Sequence, residues 1–130
     1  MTGETDLQKI LVRLSPVLDD TEYVFCTLEG AVYGDYVESN PIASFQEAEG
    51  LTLVMAKDSA DKQAMSYEGV FKCISLNVHS SLEAVGLTAA ISSILAQQSI
   101  SANIIAGYFH DHIFVIADDA ERALALLQSA

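Results

Sequence analysis

Basic residues are scarce in this chain. Its 130 residues hold 6 lysines and arginines against 18 aspartates and glutamates, a formal net charge of −12. An acidic surface repels phosphate backbones, and no lysine–arginine stripe overcomes that repulsion, so nucleic acid is disfavoured as a direct partner. The same charge disfavours anionic membrane surfaces. Cysteine is nearly absent: Cys26 and Cys73 each sit inside an apolar strand pattern, where a thiol acts as a small hydrophobe. They make no disulfide framework, and the polar, acidic start MTGETDLQK is unlike a signal peptide. Both features point to a reducing cytoplasm. No apolar run reaches the roughly eighteen residues that a membrane-spanning helix needs.

Catalytic signatures are missing too. There is no G-x-S-x-G elbow, no P-loop and no dinucleotide fingerprint. His79, Ser80 and Ser81 are neighbours in one loop and cannot form the spatially arranged nucleophile, base and orienting acid of a triad. The chain reads as a non-enzyme with no cofactor. His79, His110, Asp111 and His112 have metal-ligand chemistry. Ordinary turn and strand-end histidines explain them equally, and no metal is assigned.

What is present is apolar pattern. Just over half the residues (51%) are hydrophobic, enough for one ordinary core or for two small units sharing one. The richest stretch is Val70 to Ala117. Phe71, Cys73, Ser75 and Asn77 alternate with Lys72, Ile74, Leu76 and Val78 as in a strand. Leu87, Ile91, Ile94, Leu95 and Gln98 then follow at helical spacing. Asn103–Phe109 and His112–Ala117 read as strands joined at His110-Asp111, a hairpin signal.

Upstream, Leu7, Ile10, Leu11 and Leu14 predict a helix over Asp6–Leu18, capped by Thr5 or Asp6 and ended by Pro16 and Asp19-Asp20. Glu22–Glu29 reads as a central strand, apolar on both faces. Residues 30–50 form a long connection, with a short strand expected at Ala31–Tyr33 and one helical turn at Ser44–Glu47. A connection of that length is uncommon without a function. Leu51–Ala56 reads as a strand, Asp58–Ala64 as a short helix and Asp119–Gln128 as the last helix.

The chain also matches itself. At an offset of 80, Leu7, Leu11 and Leu14 fall on Leu87, Ile91 and Ile94, and Val24 falls on Ile104. Past the long connection the offset drops to 61, and Leu53–Asp58 falls on Phe114–Asp119. Both halves read as helix, strand, strand, helix, and the first has an insertion at residues 30–50.

The segment HSSLEAVGLTAA, followed by ISANIIAGYFHDHIFV, resembles the ACT-domain family, in particular its small stand-alone members. The resemblance covers nearly the whole chain and is strongest from Glu68 to Leu127. It implies an α+β fold: two fused ferredoxin-like units with antiparallel sheets and helices on one face. The expected units are 1–68, carrying the 30–50 insertion, and 69–130, packed as one body. It also implies a regulatory module that binds an amino acid, or a similar small carboxylate, at a unit or subunit interface, and that pairs with itself. An interaction module without a ligand is the alternative. Either would act through a separate protein partner.

Candidate binding residues follow from chemistry. Gly86 can adopt positive φ, and the free amides of the helix opened by Leu87 attract a carboxylate. The resemblance points to the same place. A bound amino group needs acceptors, and Glu83, Asp111 and Asp35 supply carboxylates. Ala106 and Gly107, a small pair, leave room for a ligand side chain, although close packing explains them as well.

Overall fold

The computed structural model describes residues 14–77 and 86–130. These fall into two compact units whose division does not follow the chain in order. One takes residues up to Asp20 together with Lys72–Ala130, and the other takes Thr21–Phe71.

The helix expected over Asp6–Leu18 lies mostly outside the described residues, but its end does not survive. Pro16–Leu28 is a single thirteen-residue strand, β1. Pro16 opens this strand rather than closing a helix. A proline costs a strand little at its first position, where its missing N–H need not join the ladder. Asp19 and Asp20 lie within the strand. The expected strand, Glu22–Glu29, is the second part of β1 as far as Leu28, where Tyr23–Leu28 pair antiparallel with β3 (Gly50–Ala56).

In the larger unit the strands run in the order β1, β4 (Phe71–Leu76), β6 (Asp111–Ile116), β5 (Asn103–Ala106). The β5–β6 pair is antiparallel, with Ile104 opposite Ile113. Two longer helices belong here, α2 (Leu87–Ala96) and α3 (Ala120–Gln128), the latter led by a 3-10 turn at Ala117–Asp119. Ile74 and Leu76 of β4 and Ile113 and Val115 of β6 point to one face. They meet Leu87, Ile91 and Leu95 of α2 and Ala123 and Leu127 of α3 in a single apolar cluster. The two periodicities, two on the strands and near 3.6 on the helices, bring these residues together. Ser99, at φ 60, ends α2 and lets the Ile100 amide bond back to the Leu95 carbonyl. Arg122 of α3 donates to the Gln98 carbonyl at 2.7 Å and ties the helices together at that end.

In the smaller unit the order is β2 (Ala43–Glu47), β3 (Gly50–Ala56), then β1, antiparallel throughout. Val24 and Cys26 of β1 join Leu51, Leu53 and Met55 of β3, with Ala60 of the short helix α1 (Lys57–Lys62) over them. Two expectations for the 30–50 connection are corrected. Residues 44–47 are extended in β2 and pair with β3, because Phe45 opposite Thr52 and Ser44 opposite Leu53 gain a ladder that an isolated helical turn lacks. Ala31–Tyr33 is no strand; its backbone turns, with Gly30 at φ 79 and Gly34 at φ 100. A 3-10 turn at Val37–Ser39 completes the connection. Gly50 is required there, since a Cβ on it would sit 2.7 Å from the Leu28 carbonyl oxygen.

Candidate functional site

Gly86 is the residue before α2. Its φ of 91 and ψ of −9 are left-handed, a conformation a Cβ penalises, and its carbonyl accepts the Ala90 amide at 2.9 Å. Leu87 is only 4% exposed and its side chain belongs to the core. The helix start is therefore anchored from below by the Leu87 side chain. A first helical turn concentrates unpaired N–H groups and the positive end of the helix dipole. Glu83, like His79, lies outside the described residues.

The β5–β6 hairpin belongs to the same unit. Its tip is not His110-Asp111, as the dipeptide signal suggested. Ala106 pairs with Asp111, and the Gly107 amide donates to the His110 carbonyl at 2.8 Å, which leaves Tyr108 and Phe109 at the tip. Both tip rings are exposed, and they meet edge-on at 5.0 Å. Asp111 instead opens β6 and is half-buried. Burial pushes its carboxyl above the usual carboxylate range, opposed by the nearby His112.

Two histidine contacts fasten this hairpin to β4. His110 Nδ1 lies 3.1 Å from the Leu76 carbonyl, so that nitrogen carries the proton and donates. His112 Nδ1 lies 3.0 Å from Ser75 Oγ. Neither contact is legible before folding, because a serine in strand alternation looks like a tolerated polar residue. The side of Gly107 is occupied: a Cβ there would come within 2.9 Å of the His110 carbonyl oxygen and 3.2 Å of His112 Nε2. Close packing accounts for this glycine. Ala106, at the end of β5, is exposed.

Asp35 belongs to the smaller unit. Its Oδ2 accepts the Val32 amide at 2.9 Å, and its own amide returns a bond to the Val32 carbonyl at 2.9 Å. It lines an open cleft of about 250 Å3 together with Tyr33, Val37, Pro41 and Ile42, with Leu51 and Leu53 among its walls. Gly86, Leu87, Ala106, Gly107 and Asp111 thus share one unit, and Asp35 lies in the other.

Both cysteines are free and buried, and burial pushes both thiols up, as small core residues should behave. Among the described residues no group of three or more histidine, cysteine or acidic side chains is placed to hold a metal ion. No helix among them is long and apolar enough to cross a membrane.

Comparison with known proteins gives the family. Two ACT-domain models match in tandem, over residues 2–72 and 68–129. A Vibrio cholerae protein of unknown function, described as a possible transport protein, is 48% identical over 96% of this chain and 95% of its own, with a TM-score of 0.87. The ligand-free regulatory subunit of aspartate kinase from Thermus thermophilus shares the fold at 13% identity, over 88% of this chain and 95% of its own, with a TM-score of 0.66. Aspartokinase III of E. coli, solved with aspartate and ADP, shares it at 13% identity, over 88% of this chain and 32% of its own, with a TM-score of 0.62. No curated protein matches. The chain belongs to the ACT-domain family, and it is built of two such domains in tandem.

Proposed function

We propose that this protein senses an amino acid, or a comparably small carboxylate-bearing metabolite, held where α2 begins. The observation that carries this reading is Gly86: a left-handed glycine opening a ten-residue helix whose first side chain is locked in the core. In this reading the amides after Gly86 take the ligand's carboxylate. Asp111 and Glu83, with backbone carbonyls near Ala106, take its amino group. Gly107 serves by packing the hairpin, and Asp35 belongs to the other unit. The fold shared with the regulatory subunits of aspartate kinase supports a regulatory role.

The test is isothermal calorimetry of the full chain against each of the twenty amino acids, repeated with Gly86→Asp. One or a few amino acids should release heat, and Gly86→Asp should abolish it. Aspartate there adds a negative charge beside the carboxylate and forces positive φ on a residue with a Cβ, at a cost of about 1–2 kcal/mol. A second reading, an interaction module without a small ligand, draws on the exposed tip rings of Tyr108 and Phe109. Silence in calorimetry from folded protein would favour it.

A further inference from the structure

The 30–50 insertion does more than connect strands. It holds six large apolar side chains in solvent: Val32, Tyr33, Tyr36, Val37, Ile42 and Phe45. Tyr33 is 73% exposed, Phe45 71% and Val37 68%. Exposed apolar residues scattered singly are ordinary, but a concentration in fourteen consecutive positions marks a contact surface.

This surface is built rather than left over. Tyr36 holds a left-handed backbone at φ 64, which a residue with a bulky side chain rarely adopts, and Asn40 holds one at φ 53, which asparagine tolerates. The constraints are visible. The Gln46 side chain accepts the Tyr33 amide at 2.8 Å and donates to the Ala31 carbonyl at 3.1 Å. Ser59 Oγ donates to the Ser39 carbonyl at 2.8 Å, and the buried Ser39 hydroxyl donates to Gln63 at 2.8 Å. Asp35 closes its own turn on Val32. A loop pinned at so many points loses little entropy when a partner docks.

Charge and an open edge say what kind of partner fits. Between Leu14 and Ala56 the chain has no lysine or arginine, while Asp35, Glu38, Glu47 and Glu49 lie in and beside the apolar stretch. A second copy would bring like charges together here, with no cation of its own in this stretch to compensate. Beside the cleft runs β2, which among the described residues pairs only with β3 and so leaves its other edge open to a strand.

We infer that the open edge of β2 and the adjoining cleft, walled by Tyr33, Val37 and Ile42, dock an extended segment of a partner protein. It carries lysine or arginine side chains together with apolar ones on each of its faces. The segment adds as a strand to β2, its apolar side chains cover Ile42 and Phe45, and its cations meet Asp35 and Glu47. This surface lies in the smaller unit and does not rest on the amino-acid site.

The test selects a phage-displayed library of random linear peptides on the immobilised full-length protein. Enriched peptides should combine basic and apolar residues, and their binding should weaken with added salt. Ile42→Ser with Phe45→Ser should lower the affinity of the enriched peptide by about tenfold or more, as expected for apolar anchors. Asp35→Asn should lower it less, and Tyr108→Ser, in the other unit, should leave it unchanged. Circular dichroism confirms that each variant is folded; because Asp35 also closes the loop, Glu47→Gln gives a second removal of charge. No enrichment, enriched peptides without basic residues, or binding indifferent to the Ile42 and Phe45 changes would overturn the proposal. Wild-type protein that sediments as a dimer and dissociates on Phe45→Ser would also overturn it, since a second copy would then be the occupant.

Discussion

Gly107→Ala separates packing from ligand space in the β5–β6 hairpin. The added methyl would sit 2.9 Å from the His110 carbonyl oxygen and 3.2 Å from His112 Nε2. The first neighbour is backbone, fixed by the 2.8 Å bond from the Gly107 amide, so the turn itself must open. Overpacking of this kind typically costs about 1–3 kcal/mol. The second neighbour is a ring held on Ser75 at 3.0 Å. Swinging it aside forfeits a part-buried hydrogen bond, a further loss of roughly 0.5–1.5 kcal/mol. Urea denaturation should show a lower midpoint at an unchanged slope, with a total loss of about 1.5–4.5 kcal/mol. His112→Ala then divides the cost. In the double variant the methyl no longer meets the ring, so the losses should fall short of additivity by about 0.5–1.5 kcal/mol, with the carbonyl share remaining. A Gly107→Ala protein as stable as wild type would refute the packing argument and return that space to a ligand.

Asp111→Asn should weaken amino-acid binding by roughly 1.5–3 kcal/mol, read by calorimetry, if its charge takes the ligand's amino group. The same variant should not lose fold stability at neutral pH. A carboxyl whose folded pKa is raised holds its proton longer in the native state, so stability is highest below the ordinary carboxylate pKa and falls as pH rises through the folded value. Asparagine escapes that fall, so urea midpoints should favour the variant at neutral pH and converge in acid. Gly50→Ala should destabilise the protein by about 1–3 kcal/mol in urea melts, since its Cβ would meet the Leu28 carbonyl oxygen at 2.7 Å and φ is 154. Light scattering should give a mass above the 14.0 kDa of one chain, because β5, at the end of its strand order, leaves an edge that a second copy can cover.

Elements with a clean period were legible in the sequence. Leu87, Ile91 and Leu95 marked α2, and the alternation through Cys73–Leu76 marked β4, because burial on one face leaves a repeat that composition alone carries. The failures share a cause. Pro16 and Asp19-Asp20 look like a helix stop, and Ser44–Glu47 looks like one helical turn, yet both stretches are extended because partner strands pair with them. That pairing is a long-range fact with no local signal. The hairpin tip was misplaced by two residues for a related reason. His110-Asp111 is the polar dipeptide, but Gly107 permits the close approach that puts Tyr108 and Phe109 at the turn. At the candidate site, Gly86 was legible as a glycine before a helix. The contacts that fasten the hairpin to β4 were not, since Ser75–His112 and His110–Leu76 join residues 37 and 34 positions apart.

The insertion argues most directly about function. A segment that only joined two strands would be free to be short and polar, and loop closure alone gives no reason for tyrosine, valine, isoleucine and phenylalanine. Here Ile42 and Phe45 stay in solvent even though β2 has found a strand partner in β3. Internal folding had the chance to bury them and did not. Exposed aromatic side chains raise the risk of self-association, and the surrounding acids, unrelieved by any lysine or arginine between Leu14 and Ala56, oppose it through like-charge repulsion. The same acids would attract a basic segment. One surface therefore resists its own copy and accepts a cationic partner, which is a specificity device rather than a by-product of the fold.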